Sequence, residues 1–243
     1  MRKTGRGPGP GSGSAPAPAK PGAGRSRENY LKALLQLGAG DRVHVSALAR
    51  HLGVSAPSVT NMVARLADDG LVEVGERGAA RLTAAGERAA LRVLRRHRLL
   101  ETFLARVLEL DWSEVHEDAE ELEHHVSDRV LDALDRFMGH PTEDPHGHPI
   151  PDRQGRLARR ALSPLAALPE GSRARVREVR GGEDRARLTR WKRSGLVPGA
   201  QVRMVESHPD EGVFTLEIGG RRVVSGREGL DGVMIERRAR HKV

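Results

Sequence analysis

One short segment constrains the fold of this chain more than any other. Residues 45–63 read VSALARHLGVSAPSVTNMV, in which Gly53 separates two stretches whose apolar residues recur at helical spacing. Glycine allows a sharp turn between two helices because it has no side chain to clash. Ala49 is small where the helices would cross, and Val54 and Val59 would fill the joint between them. This pattern predicts a helix-turn-helix.

The flanking sequence extends the prediction to a winged helix-turn-helix over residues 27–82. An apolar stripe at helical spacing precedes the motif, and two short apolar stretches around a glycine-rich turn follow it. Serine is favoured immediately before a helix, because its hydroxyl accepts a hydrogen bond from a free backbone N–H. The expected elements are a helix ending at Gly38, a helix Ala47–Leu52 capped by Ser46, a helix capped by Ser55 and ending at Gly70, and strands Leu71–Val74 and Ala80–Leu82.

The second helix of such a motif enters the major groove of DNA, with its first residues toward the base edges. Asn61 is the strongest candidate base reader, since an asparagine can pair with adenine through two hydrogen bonds. Pro57 offers an apolar contact to a thymine methyl group. The predicted DNA contacts are Ser55, Pro57, Ser58, Thr60, Asn61 and Arg65 on the helix, and Arg77 and Arg81 on the wing.

A helix-turn-helix that binds no DNA is the alternative reading of this segment. Such packing also occurs in proteins that bind no nucleic acid. Residues 28–82 carry six basic and six acidic side chains, so their net charge of zero does not favour DNA binding. The polar side chains at the start of the second helix nevertheless favour DNA binding.

The rest of the chain divides by composition into a tail, a helical unit, a linker and a strand-rich unit. Residues 1–26 are Gly, Pro, Ala and Ser with scattered positive charge, which predicts a disordered tail. This tail either binds nucleic acid non-specifically or plays no part in function, or the start of the protein is misassigned and the tail is not translated. Residues 83–151 predict long helices, with Ala84–Leu110 the first, and with Thr83, Ser113 and Ser127 as caps.

Residues 152–172 resemble a linker, with a helical turn or two over Arg156–Ser163. Residues 173–238 carry strand patterns separated by Gly and Pro, with Gly219–Gly220 as a two-residue hairpin turn. The predicted fold is therefore mainly α with a small all-β domain: a winged helix-turn-helix, a helical unit and an SH3-like barrel. The expected strands of the barrel are Val202–Glu206, Val213–Ile218, Arg221–Ser225 and Val233–Glu236.

Composition excludes several classes of protein. The chain has no cysteine, which removes disulfides, thiolate zinc sites, cysteine nucleophiles and iron–sulfur ligation. It has no apolar run of the roughly 18 to 20 residues that a membrane span requires, and its first 27 residues hold no apolar stretch of the secretory kind. The motifs H-E-x-x-H, G-x-S-x-G and the Walker loop are also absent. We therefore expect a cytoplasmic protein that is not an enzyme and does not bind membranes.

The helical unit carries acidic and histidine side chains at helical spacing. His116, Glu120, Glu123 and His124 have offsets of 0, 4, 7 and 8, which place them on one helical face. Two antiparallel helices could bring the first of these to a second pair offset by four on the preceding helix, namely His97 and Glu101. Nitrogen and oxygen donors without sulfur suit Mn²⁺, Fe²⁺, Co²⁺ or Zn²⁺. The alternative is a solvated acidic face, because residues 83–140 hold thirteen acidic against eight basic side chains.

These features together resemble the diphtheria toxin repressor and manganese transport regulator family of metal-dependent repressors. The matching stretches are Ser55–Leu71, Arg96–Leu104, Val115–Asp128 and the loop Asp144–Pro151. The resemblance implies a homodimer that binds a palindromic operator when it is loaded with metal. It also implies an activating site at Asn29, Glu120, Glu123 and His124, and an ancillary site at His97, Glu101 and His116, completed from the barrel by Glu183 and Asp184.

Departures from the family pattern favour one metal over another. Iron-responsive members have cysteine where this chain has Glu120, and manganese-responsive members have glutamate there. Manganese members have carboxylates where this chain has Asn29 and Lys32, so we do not expect their bridged two-metal centre. A hard carboxylate in place of a thiolate favours Mn²⁺, with Fe²⁺ as the alternative.

Three other functions stay open from the sequence. The chain could be a winged-helix regulator that senses a small molecule without metal, or a metalloenzyme. The barrel resembles domains attached to ferrous-iron transport systems, so it could bind a partner peptide or the internal segment Ser163–Pro169. A comparison of operator binding with and without a chelator separates the first alternative from metal-dependent repression.

Overall fold

The computed structural model describes residues 23–38, 40–181 and 184–237, and begins with a winged helix-turn-helix. The first helix starts at Ala23, four residues before the predicted start of this unit, while residues 1–22 of the predicted tail lie outside the described part. The two strands pair antiparallel as the wing, with Val72 opposite Leu82. The elements are α1 (Ala23–Gly38), α2 (Val45–Leu52), α3 (Ala56–Asp68), β1 (Val72–Val74) and β2 (Ala80–Leu82).

Local chemistry explains where these helices begin and end. Ser55 caps α3 as predicted, because its hydroxyl accepts a hydrogen bond from the Ser58 N–H at 3.3 Å. Gly53 ends α2 in the left-handed region at φ 64°. The prediction that Ser46 caps α2 was wrong: the helix starts at Val45, and His44 precedes it without a side-chain cap.

The helical unit consists of α4 (Ala84–Arg106), α5 (Val115–Leu122) and α6 (Asp128–Phe137). Thr83 caps α4 and Ser127 caps α6, and both predictions are confirmed by hydroxyl groups that accept backbone N–H bonds. The cap predicted at Ser113 was wrong, since its hydroxyl donates to the Asp111 carboxylate at 2.8 Å and Glu114 precedes α5 instead. Helix α4 also ends at Arg106, four residues before the predicted Leu110.

The end of α5 corrects the predicted acidic stripe. The helix stops at Leu122, so Glu123 occupies the position after it and His124 lies in the following turn. The four stripe residues therefore do not share one continuous helical face. The Glu123 side chain is nevertheless completely buried, and its N–H still donates to the Ala119 carbonyl at 2.9 Å.

An antiparallel six-stranded sheet with two helices forms the C-terminal unit, which is SH3-like as expected. Its strand order is β3-β8-β4-β5-β6-β7 around a core that contains Trp191 and Phe214. Gly219 and Gly220 form the predicted hairpin turn with φ of 56° and 77°. The elements are β3 (Ser163–Pro164), β4 (Arg173–Val179), α7 (Arg185–Ser194), β5 (Gln201–His208), β6 (Val213–Ile218), β7 (Arg221–Gly226), α8 (Arg227–Leu230) and β8 (Val233–Arg237).

Strand β4 and helix α7 were not predicted from the sequence, and the helical turns predicted over Arg156–Ser163 were wrong. Residues 157–162 form neither helix nor strand. The loop 143–149 instead joins the helical unit to β4, where the Val179 N–H donates to the His146 carbonyl at 2.9 Å. Gly147 lies so close to the Arg177 carbonyl that a Cβ there would be only 1.9 Å from its oxygen. Within the described residues, none of the helices has the length and apolar character needed to cross a bilayer.

Candidate metal centre

Donor side chains from two parts of the chain about ninety residues apart meet where α1 packs against α4 and α5. Tyr30, Leu31 and Leu34 are buried on the inner face of α1 and fix this helix against the rest of the winged unit. The polar positions of the same helix then face the turn after α5. We call the resulting group the α1–α5 cluster; it contains Asn29, Lys32, Glu120, Glu123 and His124.

Glu123 is the central residue of the α1–α5 cluster. Its Oε1 accepts a hydrogen bond from the Lys32 ammonium at 2.8 Å, and its Oε2 lies 2.7 Å from His97 Nδ1. Lys32 also donates to Glu120. Burial acts to raise the pKa of Glu123, but His97 and Lys32 overcome it, and the pKa lies below its usual value. Glu123 is therefore a carboxylate whose charge is balanced by two neighbours.

Three members of the cluster are close enough to share one cation. Glu120, Glu123 and His124 each offer a ligand atom, and these atoms lie within 4.8 Å of one another. Asn29 Oδ1 is buried and has no hydrogen-bond partner among the described residues. Asn29 and Glu120 both line a crevice of about 280 Å³ between α1, α2 and α5. A buried amide oxygen that shares a crevice with Glu120, whose carboxylate lies close to ligand atoms of Glu123 and His124, fits a hard or borderline divalent cation.

Two charged residues near this site were not predicted as part of it. Lys32 was recognised only as a departure from the family pattern, and Glu28 was not singled out. Glu28 Oε2 lies 2.7 Å from His124 Nδ1, so this carboxylate holds the imidazole in place. Such a partner is typical of metal-bound histidine. Its position beside Asn29 on α1 is the signal that could have identified it.

The predicted ancillary residues meet as a compact triad. His97 Nε2 lies 3.0 Å from Glu101 Oε1 and 3.2 Å from His116 Nδ1, and the last two atoms are also 3.2 Å apart. Burial acts to lower the pKa of His97, but the carboxylates of Glu101 and Glu123 raise it to about 9. His97 is therefore protonated at neutral pH and donates to both carboxylates. Glu101 has a pKa well below its usual value despite its burial, because histidines surround it.

A further donor group, from the loop 143–149, was missed by the sequence analysis. Asp144, His146 and His148 offer ligand atoms within 4.8 Å of one another. His146 Nδ1 is buried and has no hydrogen-bond partner within residues 23–38, 40–181 and 184–237, and the Glu101 Oε2 atom lies 3.8 Å away. Burial opposes protonation of His146, but Glu101 and Asp144 raise its pKa. The D-x-H-x-H spacing was the available signal.

We call the triad and the loop donors together the histidine cluster: His97, Glu101, His116, Asp144, His146 and His148. All six line a cavity of about 740 Å³ between the helical unit and the barrel. Asp184 lines the same cavity, but its carboxylate accepts the Arg187 N–H at 2.9 Å and caps α7. Glu183 lies outside the described residues. Asp184 therefore lines the cavity, but among the described residues it is not one of the donors whose ligand atoms lie within 4.8 Å of one another.

The predicted DNA contacts lie on the surface of the winged unit. The polar side chains at the start of α3 are exposed, and Ser55 Oγ and Ser58 Oγ lie 2.9 Å apart. Arg81 on the wing pairs with Glu73 at 2.7 Å, so a phosphate contact would have to compete with this ion pair. Arg77 stands in the wing turn at φ 54°. The exposed residues of the predicted set are Ser55, Pro57, Ser58, Thr60, Asn61, Arg65, Arg77 and Arg81.

Three family models match the chain, in the order of its structural units. The model described as the N-terminal DNA binding domain of iron dependent repressors matches residues 24–80. The model described as the metal binding and dimerisation domain of iron dependent repressors matches residues 83–152. The FeoA domain model matches residues 163–237.

Known repressors are similar to the chain along most of its length. The iron-dependent repressor IdeR of Mycobacterium leprae is 34% identical, over 78% of this chain and 87% of that protein. The diphtheria toxin repressor of Corynebacterium efficiens is 32% identical, over 73% of this chain and 82% of that protein. A solved manganese-dependent transcriptional repressor in complex with manganese is 34% identical, with a TM-score of 0.79 over 86% of this chain and 98% of that one. The repressor ScaR with bound Cd²⁺ is 29% identical, with a TM-score of 0.75 over 87% of this chain.

Proposed function

The chain belongs to the iron-dependent repressor family of metal-dependent, DNA-binding transcriptional repressors, and from this premise we propose that Mn²⁺ or Fe²⁺ at the α1–α5 cluster activates it. The ligands in this proposal are Asn29, Glu120, Glu123 and His124. The observation that carries it is the buried Oδ1 of Asn29, which has no hydrogen-bond partner in the described part of the chain, together with the crevice that Asn29 and Glu120 both line. The family's relatives act on transcription, and we propose that this chain acts in the cytoplasm, where the DNA is, and not as an enzyme.

The ligands connect two units that must move together for DNA binding. Asn29 lies on α1, which packs within the winged unit, whereas Glu120, Glu123 and His124 belong to α5 and the turn after it. When bound, the ion supplies two positive charges and directional bonds between these elements. Asn29 then anchors α1, Glu28 orients His124, and Glu123 keeps its bond to His97 on α4. The arrangement fixes the angle at which α3 is presented to DNA.

In a dimer, the angle at which each chain presents α3 sets the distance between the two α3 helices. The helical unit matches a family model described as a metal binding and dimerisation domain, and its Leu108, Leu110 and Phe137 are exposed by 51%, 43% and 71%. We propose that a second copy covers these apolar side chains and that the paired α3 helices read a palindromic operator. Half-sites lie one turn of DNA apart, about 34 Å, or a multiple of it, so a small rotation of each winged unit changes affinity strongly.

A second ion at the histidine cluster is part of the same proposal. The triad His97, Glu101 and His116 supplies donors from α4 and α5, and Nδ1 of the loop donor His146 makes no hydrogen bond to any residue that the structure describes. Because the loop is bonded to β4, an ion here would tie the helical unit to the barrel. Asp144 and His148 are further candidates, and the barrel acids Glu183 and Asp184 stay predictions.

The donor set favours Mn²⁺ over Fe²⁺. Every proposed ligand is a carboxylate, an amide oxygen or an imidazole, and the chain has no sulfur from cysteine. Oxygen-rich sites suit Mn²⁺, while softer ligands would select softer metals. The relatives include repressors described as iron-dependent and as manganese-dependent, so they support either ion.

Operator binding measured against metal concentration tests the proposal. The full chain is titrated onto a labelled palindromic DNA with Mn²⁺, Fe²⁺, Co²⁺ and Zn²⁺ under anaerobic conditions, and again with a chelator. We expect binding that requires metal and is strongest with Mn²⁺ at the concentrations tested. Binding that is unaffected by the chelator would contradict metal activation and would favour a regulator that senses a small molecule.

A further inference from the structure

A lysine lies between the two acidic side chains of the α1–α5 cluster. Lys32 is buried, with 6% of its side chain exposed, and its ammonium donates to Glu120 and to Glu123 Oε1. Lysine is almost never buried unless it is paired. The side chain spans the joint between α1 and the end of α5, because Lys32 and Glu123 are 91 positions apart in the sequence yet in direct contact.

The ammonium satisfies a charge that would otherwise be costly. Glu123 has no exposed side-chain surface, and Glu120 is 30% exposed. Removing one partner of a buried ion pair leaves an uncompensated charge, which is strongly unfavourable. Lys32 therefore stabilises the two carboxylates in the metal-free protein and holds α1 against α5 without an ion.

The same oxygen cannot serve Lys32 and a metal ion equally well. A divalent cation that binds Glu123 Oε1 and Glu120 would lie within a few ångströms of the ammonium, and like charges repel strongly where solvent screening is weak. Lys32 has room to withdraw, because it lines the crevice of about 280 Å³ together with Gln36 and Leu52. Its flexible four-carbon stem permits that movement.

We propose that Lys32 is an internal counterion that occupies the α1–α5 cluster in the metal-free protein and must leave when metal binds. The inference rests on the proposed function and goes beyond it by assigning a role to a residue that is not a ligand. Lys32 thereby raises the metal concentration at which the repressor responds. It also keeps α1 docked in the absence of metal, so that metal binding exchanges one cation for another.

The test is the Mn²⁺ affinity of the full chain with Lys32→Met, which removes the charge and keeps a similar length. Free Mn²⁺ is followed by electron paramagnetic resonance, which reports binding independently of DNA. We expect binding about tenfold tighter or more, because the variant removes a like charge that would lie within a few ångströms of the ion, where solvent screening is weak. Lys32→Gln is the second variant if the methionine variant does not fold, and it should shift affinity in the same direction.

Two controls make the result specific. Arg27→Met removes a cation from the same helix, but 42% of the Arg27 side chain is exposed and it pairs with Asp69. The Mn²⁺ affinity of this variant should therefore equal that of the unaltered chain. Hydrogen exchange in the presence of chelator reports docking, and the amides of residues 29–36 should exchange faster in Lys32→Met than in Arg27→Met. Equal or weaker Mn²⁺ affinity in both Lys32 variants would overturn the proposal, as would unchanged exchange of α1.

The outcome can be separated from failure of the proposed function. If the unaltered chain binds no Mn²⁺, or if the His124→Ala variant binds Mn²⁺ as tightly as the unaltered chain, the assigned metal site is wrong. The proposed role of Lys32 is then wrong as well. If His124→Ala loses binding while Lys32→Met behaves like Arg27→Met, the metal site stands and the counterion proposal alone is wrong.

Discussion

The two donor clusters share a carboxylate–histidine bond but balance their charge in different ways. In the α1–α5 cluster, the carboxylates of Glu120 and Glu123 are held by the fixed ammonium of Lys32. In the histidine cluster, Glu101 is surrounded by His97, His116 and His146, and the proton on His97, whose pKa is raised to about 9, balances its charge. The first cluster therefore contains a lysine ammonium, whereas the second contains a cation that can be removed as a proton.

This difference indicates how each cluster would admit a metal ion. The α1–α5 cluster must release the Lys32 side chain, which requires conformational rearrangement within a buried joint. The histidine cluster must release protons, and the free-energy cost of this release is greater at low pH. The two clusters are linked through the bond between His97 Nδ1 and Glu123 Oε2, so an ion in one alters the partner of the other.

The largest expected effect is at the α1–α5 cluster. His124→Ala or Glu123→Ala should abolish metal-dependent operator binding, with a loss of more than about 100-fold in affinity, because each removes a proposed ligand. Gel shifts with Mn²⁺ measure the loss. His125→Ala is the matched control, since His125 is the exposed neighbour in sequence and should retain full binding. Metal-dependent shifts that survive in both ligand variants would disprove the assignment of this site.

A smaller effect is expected at the histidine cluster. His146→Ala removes the imidazole whose Nδ1 has no partner among the described residues, so it should lower the number of bound ions by one per chain. Operator affinity in Mn²⁺ should fall by about tenfold, since the α1–α5 cluster remains. Calorimetric stoichiometry checks this, with the exposed barrel residue His208→Ala as control. An unchanged ion count in His146→Ala would show that the loop takes no part in metal binding.

The smallest expected effect is the difference in proton release between the clusters. His97 has a pKa of about 9, raised by Glu101 and Glu123 against the effect of burial, so it is protonated at neutral pH. An ion that uses its ring nitrogen must expel this proton, and affinity should rise as pH increases toward 9. Calorimetry in buffers of different ionisation enthalpy counts the protons. We expect His146→Ala to release fewer of them per chain than Lys32→Met does, and equal counts would remove the distinction between the clusters.

Local sequence signals predicted the helix ends where a side chain and a backbone group are neighbours. Ser55, Thr83 and Ser127 cap their helices because the hydroxyl meets an N–H three residues later. Ser113 fails as a cap because Asp111 accepts its hydroxyl instead. The same locality explains the correct hairpin at Gly219–Gly220.

The missed elements carry weak or misleading local signals. Helix α7 reads RARLTRWKRS, in which only Leu188 and Trp191 are buried, so it has too few apolar positions to stand out. Strand β4 reads RARVREV, where arginine alternates with small apolar residues, and that alternation could have been recognised. Both are stabilised mainly by the barrel core that they help to form.

The sequence by itself determined the inventory of donors, the winged helix-turn-helix and the absence of sulfur ligands. Only the tertiary structure decided which donors meet: Lys32 with Glu120 and Glu123, and the loop donor His146 beside Glu101. The physical reason is that α1 docks through the burial of its apolar face, which depends on the whole core and carries its polar residues with it. Spacing along the chain reports neighbours within one element, whereas contacts between distant elements depend on how all of them pack.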